Sequence, residues 1–271
     1  MEKDERMQML FQDLIREERP MGRQKEIVQP EVPEVPYRVT EAINILRGNI
    51  QLSGNDIRTI AVTSAIAHEG KSSTAFRLAR SMAALEKRVL FMDCDIRNSN
   101  IQLRYNIQGK KKGLSEYLCG NAERDRIIYH TDDPWLDMVF TGAVAPNPSE
   151  LVSGELFQKF MSFVRSMYDY IIVDTPPLNL VIDGLLIAKQ CDGAVLVVES
   201  GLTERAQIEK ARRQMVYADI KILGAVLNKA RAGNGRYGYG YGYGYGYGYG
   251  HNHNHQEESV NQKPQNKRNK K

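Results

Sequence analysis

The apolar run IRTIAVTS at residues 57–64 leads into Ala65-Ile66-Ala67-His68-Glu69-Gly70-Lys71-Ser72-Ser73, and the chain continues as TAFRLARSMAAL. The first run is short and rich in β-branched residues, the composition of a strand. The last carries its apolar residues at helical spacing. A loop that ends in Gly-Lys-Ser between a strand and a helix has the pattern of a P-loop. There the main-chain N–H groups of the loop and of the helix N-terminus cradle phosphate oxygens. His68, Glu69, Gly70, Lys71, Ser72 and Ser73 are therefore the candidate nucleotide-binding residues. Lys71 would set its charge on the β- and γ-phosphates, and the Ser72 hydroxyl would ligate Mg²⁺. The pattern departs from its usual form at two places: Ala65 replaces the first glycine, and His68 stands where a glycine is common.

Two further segments end in acid. Val89-Leu90-Phe91-Met92-Asp93-Cys94-Asp95-Ile96-Arg97 and Tyr170-Ile171-Ile172-Val173-Asp174-Thr175-Pro176-Pro177 both read as buried strands closed by an aspartate. In a parallel sheet the carboxyl ends of the strands share one edge, and ligands bind there. Asp93 and Asp174 would then face the same Mg²⁺–phosphate group as Lys71. Strands are expected at 58–63, 88–93, 136–141, 170–174, 194–199 and 222–227. Helices are expected at 72–85, 149–167, 183–190 and 203–216. This alternation predicts an α/β P-loop NTPase fold, with a mainly parallel sheet covered by helices on both faces.

The chain of 271 residues divides into three regions by composition. Residues 1–36 are charged and end in the proline-spaced QPEVPEVP, which predicts a short helix near 7–18 and then an extended arm. Residues 37–231 hold the strand and helix patterns. In residues 232–271, Tyr237, Tyr239, Tyr241, Tyr243, Tyr245, Tyr247 and Tyr249 alternate with glycine, ahead of HNHNH and a polar, basic end. Glycine at every second position costs too much backbone entropy for a stable strand, so this tail is expected to be disordered. The net charge of +4 is too small to make nucleic acid an expected partner. Cys94, Cys119 and Cys191 suggest neither a disulfide framework nor a zinc site, and they suit a reducing cytosol. No apolar run reaches the ~20 residues that span a bilayer. Membrane association is therefore expected only through a partner.

EGKSS at 69–73, FMDCDIR at 91–97 and IIVDTPP at 171–177 resemble the Walker A, A′ and B motifs of the bacterial tyrosine kinases that regulate capsule and exopolysaccharide synthesis. GLSEYL at 113–118, Gly142, PNPSEL at 146–151, Asp183 and GAVLN at 224–228 fit the same family. So does the tyrosine-rich end, which is the autophosphorylation cluster of the family. The resemblance implies an ATP- and Mg²⁺-dependent protein-tyrosine autokinase. Lys71, Asp93 and Asp95 would act in catalysis, Ser72, Asp93 and Asp174 would hold the metal, and Asn228 would lie near the adenine. The seven tail tyrosines would be the acceptors, in trans. Glu41 and Arg47 match the oligomerisation motif Glu-x-x-Arg-x-x-Arg, whose first arginine is Asn44 here. The implied partners are further copies of the chain, with a closed ring as one form, a cognate tyrosine phosphatase, and a transmembrane activator of the polysaccharide co-polymerase type. That activator would hold a cytoplasmic kinase at the inner face of the plasma membrane.

Two other readings belong beside this one. A partitioning-type P-loop ATPase switch shares the fold, but its loop carries a second lysine where this chain has Ile66. A degenerate pseudokinase is suggested by Ala67-His68 and Asn44.

Overall fold

The computed structural model describes residues 26–230. The helix expected near 7–18, the tail expected to be disordered and its seven tyrosines lie outside the described residues. Eight strands among the described residues form one sheet in the order β1-β4-β5-β3-β6-β2-β7-β8. They are β1 (Ile27–Val28), β2 (Thr59–Ser64), β3 (Val89–Asp93), β4 (Ile128–Thr131), β5 (Leu136–Val139), β6 (Tyr170–Asp174), β7 (Gly193–Glu199) and β8 (Ile222–Asn228). The pairings are parallel except β4 with β5. The sheet is mainly parallel, as the alternation of strands and helices implies.

The helices are α1 (Tyr37–Leu52), α2 (Lys71–Ala83), α3 (Ile101–Arg104), α4 (Leu114–Leu118), α5 (Pro148–Ser153), α6 (Glu155–Met167), α7 (Asp183–Ala188) and α8 (Arg205–Tyr217). Every residue of β2 and β3 is buried, because helices cover both faces of the central strands. α2 packs through Ala75, Phe76, Ala79, Met82 and Ala83. The small residues let it lie close to the sheet. Phe76 anchors it, edge-to-face with Phe91 at 5.2 Å between ring centroids and tilted against Tyr105 at 4.3 Å.

The helix expected over 149–167 is two helices. Gly154 takes the extended φ/ψ of −75° and 164° and separates α5 from α6. Segment 26–36 lies against the body. β1 pairs with β4, Val28 is buried, and Glu31 N–H donates to the Tyr105 carbonyl at 2.9 Å.

Candidate active site

The register of the sheet brings the acidic motifs together. Asp93 and Asp174 are direct partners across β3 and β6, and Cys94 N–H donates to the Asp174 carbonyl at 2.9 Å. β2 is the other neighbour of β6, so its loop opens beside them. Gly70, just ahead of α2, has φ +90°, a left-handed conformation that costs an L side chain. A Cβ there would also come within 2.1 Å of Asn228 Nδ2. The next residue is Lys71, at the first turn of α2. Its ammonium lies 3.0 Å from Asp95 Oδ2 and 3.5 Å from Asp174 Oδ1, and it donates to Ser72 Oγ at 3.3 Å.

These groups are deeply buried: Lys71 is 9% exposed, Asp93 1%, Asp95 5% and Asp174 1%. Burial alone would lower the Lys71 pKa, but Asp174, Asp95 and Asp93 together outweigh it and hold the ammonium above its usual range. Asp93 is pushed up to about 8, chiefly by burial and then by the charge of Asp174, against the hydroxyl of Ser99 that donates to it. Asp174 is also raised by burial, with Lys71 and Ser72 opposing the shift. One ammonium stands among three buried carboxyl groups, and burial favours the protonated forms of Asp93 and Asp174.

Asp174 Oδ1 has no hydrogen-bond partner among the described residues. A buried carboxylate oxygen whose near neighbour is an ammonium at 3.5 Å, with no hydrogen bond, suits a divalent cation or a water bound to one. Among the described residues no group of three His, Cys, Asp or Glu side chains is arranged to hold a metal unaided. Mg²⁺ is commonly held by one or two carboxylates together with waters and substrate phosphates. Ser72, Asp93 and Asp174 therefore fit Mg²⁺ carried in on a nucleotide.

A cavity of about 390 Å³ opens above this cluster. His68, Gly70, Lys71, Ser72, Ser73 and Asn228 line it from the loop side, with Asp95 and Arg97 opposite. Asn228, at the end of β8, donates from Nδ2 to the Glu69 carbonyl at 2.8 Å, so it braces the loop as well as facing the cavity. The Glu69 side chain points away. It is fully buried, and it accepts the N–H groups of Ile66 at 2.7 Å and Glu199 at 3.2 Å and the hydroxyl of Thr203. Glu69 is thus not among the residues that line the cavity, contrary to its expected place in nucleotide binding, because its carboxylate is held inward by these bonds. His68 is exposed at φ +66°, with its carbonyl accepting from Lys229 Nζ at 3.0 Å. Glu41 and Arg47 lie elsewhere, on α1. Arg47 donates to the Ser81 carbonyl at 2.7 Å and to Ser81 Oγ at 2.9 Å. The Ser81 hydroxyl donates to Asn44 Oδ1 at 3.0 Å, and Asn44 Nδ2 donates to Glu41 Oε1 at 3.1 Å.

Several groups at the site carry no signal in the sequence motifs. Arg104, on α3, donates to Ser73 Oγ at 3.0 Å and lines the cavity. Ser99 donates to Asp93 and accepts from Ile101 N–H at 3.4 Å, and Lys229 donates to the loop carbonyl of His68 and to Glu199 Oε2 at 2.7 Å. Arg97 is forked onto Asp183, with Nε 2.6 Å from Oδ2 and Nη2 3.2 Å from Oδ1, while Ser149 donates to Asp183 Oδ1 at 2.5 Å. Burial would raise the Asp183 carboxyl, but the Arg97 and Ser149 hydrogen bonds hold it below its usual range.

The AAA domain family matches residues 57–202. Over 201 residues the chain is 41% identical to Tyrosine-protein kinase CpsD of Streptococcus agalactiae, which covers 74% of this chain and 88% of that one. Over 213 residues it is 36% identical to Tyrosine-protein kinase CpsD of Streptococcus pneumoniae serotype 4, covering 79% and 93%. The solved kinase domain of Escherichia coli tyrosine kinase ETK superposes with a TM-score of 0.66 at 27% identity, covering 81% of this chain and 88% of that one. With the P-loop lysine, the paired aspartates and the sheet order in place, this chain belongs to the bacterial tyrosine-kinase family.

Proposed function

We propose that the chain is an ATP-dependent protein-tyrosine kinase that phosphorylates its own C-terminal tyrosines and regulates capsule or exopolysaccharide synthesis. The observation that carries this reading is the convergence of Lys71 with Asp95 and Asp174 beneath the P-loop cavity. Bound ATP supplies the γ-phosphoryl group, and Mg²⁺ offsets the charge on its oxygens. Phosphoryl transfer asks the protein mainly for positioning and charge stabilisation. Lys71 faces the β- and γ-phosphates from the first turn of α2. Ser72, Asp93 and Asp174 would hold the metal, and Asp95 fixes the ammonium and would orient the metal's waters or the incoming phenol. The phenol, with an ordinary pKa of ~10, loses its proton as its oxygen bonds to phosphorus and the bond from phosphorus to the ADP oxygen breaks. Asp93, at the end of β3 beside Asp174, is the candidate to contact the phenol proton, and a phenol asks for no dedicated strong base.

No helix among the described residues is long and apolar enough to cross a membrane. A transmembrane activator that holds the kinase at the inner face of the plasma membrane, self-association through the α1 face that carries Glu41 and Arg47, and a phosphatase that resets the tail complete the reading.

The test is incubation with ATP and Mg²⁺, followed by an anti-phosphotyrosine blot of the full chain, of Lys71→Met and of a chain ending at Arg236. A signal in the full chain that is lost in both variants is expected. Phosphate release with no tyrosine signal would instead mark an ATPase switch, and neither product would mark a pseudokinase.

A further inference from the structure

One face of α2 carries two arginines beyond the nucleotide cavity. Ser73, Arg77 and Arg80 stand at i, i+4 and i+7 of α2 and so share one face. At the start of this face, Arg104 holds Ser73 at the rim of the nucleotide cavity. Further along, a second cavity of about 520 Å³ opens between residues 32–35, α1 and α2, with Arg47, Arg77 and Arg80 in its wall.

Two of these arginines are fixed in place: Arg47 by Ser81, and Arg77 by the Pro33 carbonyl at 3.3 Å from Nη2. A guanidinium has five N–H donors, so each keeps several to offer. Among the described residues no ion pair joins Arg47, Arg77 or Arg80 to a carboxylate. Glu34, in the same wall, is one carboxylate against three guanidinium groups. Like charges three residues apart on a helix repel, and among the described residues no ion pair offsets the repulsion. Arginine forks at a concave site match the oxygens of a phosphoryl group. A phosphotyrosine brings about −1.5 to −2 of charge.

The spacing also fits. Arg77 and Arg80 are six and nine residues beyond Lys71, which is ~9 and ~14 Å along the axis at 1.5 Å per residue. An extended chain advances ~3.3 Å per residue, so two tyrosines four residues apart are separated by ~13 Å. Tyrosine occupies every second position from 237 to 249, which gives most tail tyrosines a neighbour at that distance. We propose that the groove formed by Arg47, Arg77 and Arg80 binds a phosphotyrosine in the tail of a second copy of this chain while another tyrosine, four residues away, takes the next phosphoryl group. The first product thereby becomes the anchor for later transfers. This proposal rests on the tyrosine-kinase reading.

The test uses dephosphorylated full-length protein and a labelled peptide of residues 236–250, unmodified or carrying phosphate on Tyr239 and Tyr243. Fluorescence anisotropy should show the phosphopeptide binding at least about tenfold more tightly than the unmodified one, and more weakly as salt rises. Arg77→Gln and Arg80→Gln should each weaken it several-fold, with thermal melting and nucleotide binding unchanged, and Arg80→Lys should recover only part of the loss. Equal affinity of the two peptides, or of wild type and the glutamine variants, overturns the proposal.

Mass spectrometry of the reaction adds a second readout. Wild type should build multiply phosphorylated chains while unmodified chains remain, and Arg80→Gln should add phosphates one at a time. That difference should fade on dilution, and a dilution-independent pattern overturns the role of the second copy. If no phosphate enters the tail at all, the kinase reading fails. If the first phosphate enters at the normal rate but the phosphopeptide does not bind, the groove alone fails.

Discussion

Asp183 shows how much one residue can carry here. Its carboxylate takes both arms of the Arg97 fork and the Ser149 hydroxyl, and so ties the loop after β3 to α5 and α7. Because these bonds hold its pKa below the usual carboxylate range, the folded state binds fewer protons than the unfolded state in the window just below ~4. The stabilisation is complete above that window and is lost as pH falls through the folded pKa. Asp183→Asn should cost about 1–2 kcal/mol at pH 7, discounted for the half-exposed guanidinium. The gap from wild type should close in thermal melts taken toward pH 3, and a gap that stays constant with pH would mean the carboxylate is not its source. At the same scale, Lys71, Asp93 and Asp174 could be read directly from the sequence, because a strand-end aspartate and a Gly-Lys-Ser turn need only local spacing to declare themselves. Glu69 could not be read that way. Whether a loop glutamate faces phosphate or turns inward depends on Glu199 and Thr203, 130 and 134 residues away in sequence.

At the scale of elements, the central strands were legible because full burial on both faces forces unbroken apolar runs. β6 falls at the expected residues, and β2, β3, β7 and β8 fall within a residue of them at either end. β4 escaped notice. It has four residues, two of them His130 and Thr131, and it earns its place by antiparallel pairing with β5 across a short turn. β1 is shorter still and is defined by its partner. α1 was visible only as a motif, although Val39, Ile43, Leu46 and Ile50 follow a helical period and Ile50 is buried. The edge formed by β1 yields a test. Val28 is 3% exposed and belongs to the same core cluster as Tyr105 and Phe140. Val28→Ala should cost about 1–2 kcal/mol in urea unfolding. A cost near zero would mean that segment 26–36 adds nothing to the stability of the body.

For the whole molecule the decisive quantity is charge. The formal net charge is +4, and seven phosphotyrosines would bring about −10 to −14. Such a chain changes sign, and its phosphates outnumber the three arginines of the α2 groove. Fully modified tails should then be repelled by the acidic sites of neighbouring copies, so phosphorylation should loosen the oligomer. Light scattering on a sizing column, before and after phosphatase treatment, should show the larger mass in the dephosphorylated sample. Equal masses would count against it.

The hydrogen-bonded chain from Arg47 through Ser81 and Asn44 to Glu41 has a mechanical meaning. It clamps α1 to the far end of α2, and α2 is one unbroken helix whose first residue is Lys71. A ligand or neighbour that grips α1 therefore pulls on a rigid lever about 15 Å long, at 1.5 Å per residue over the ten residues from Lys71 to Ser81. The other end of that lever is the ammonium.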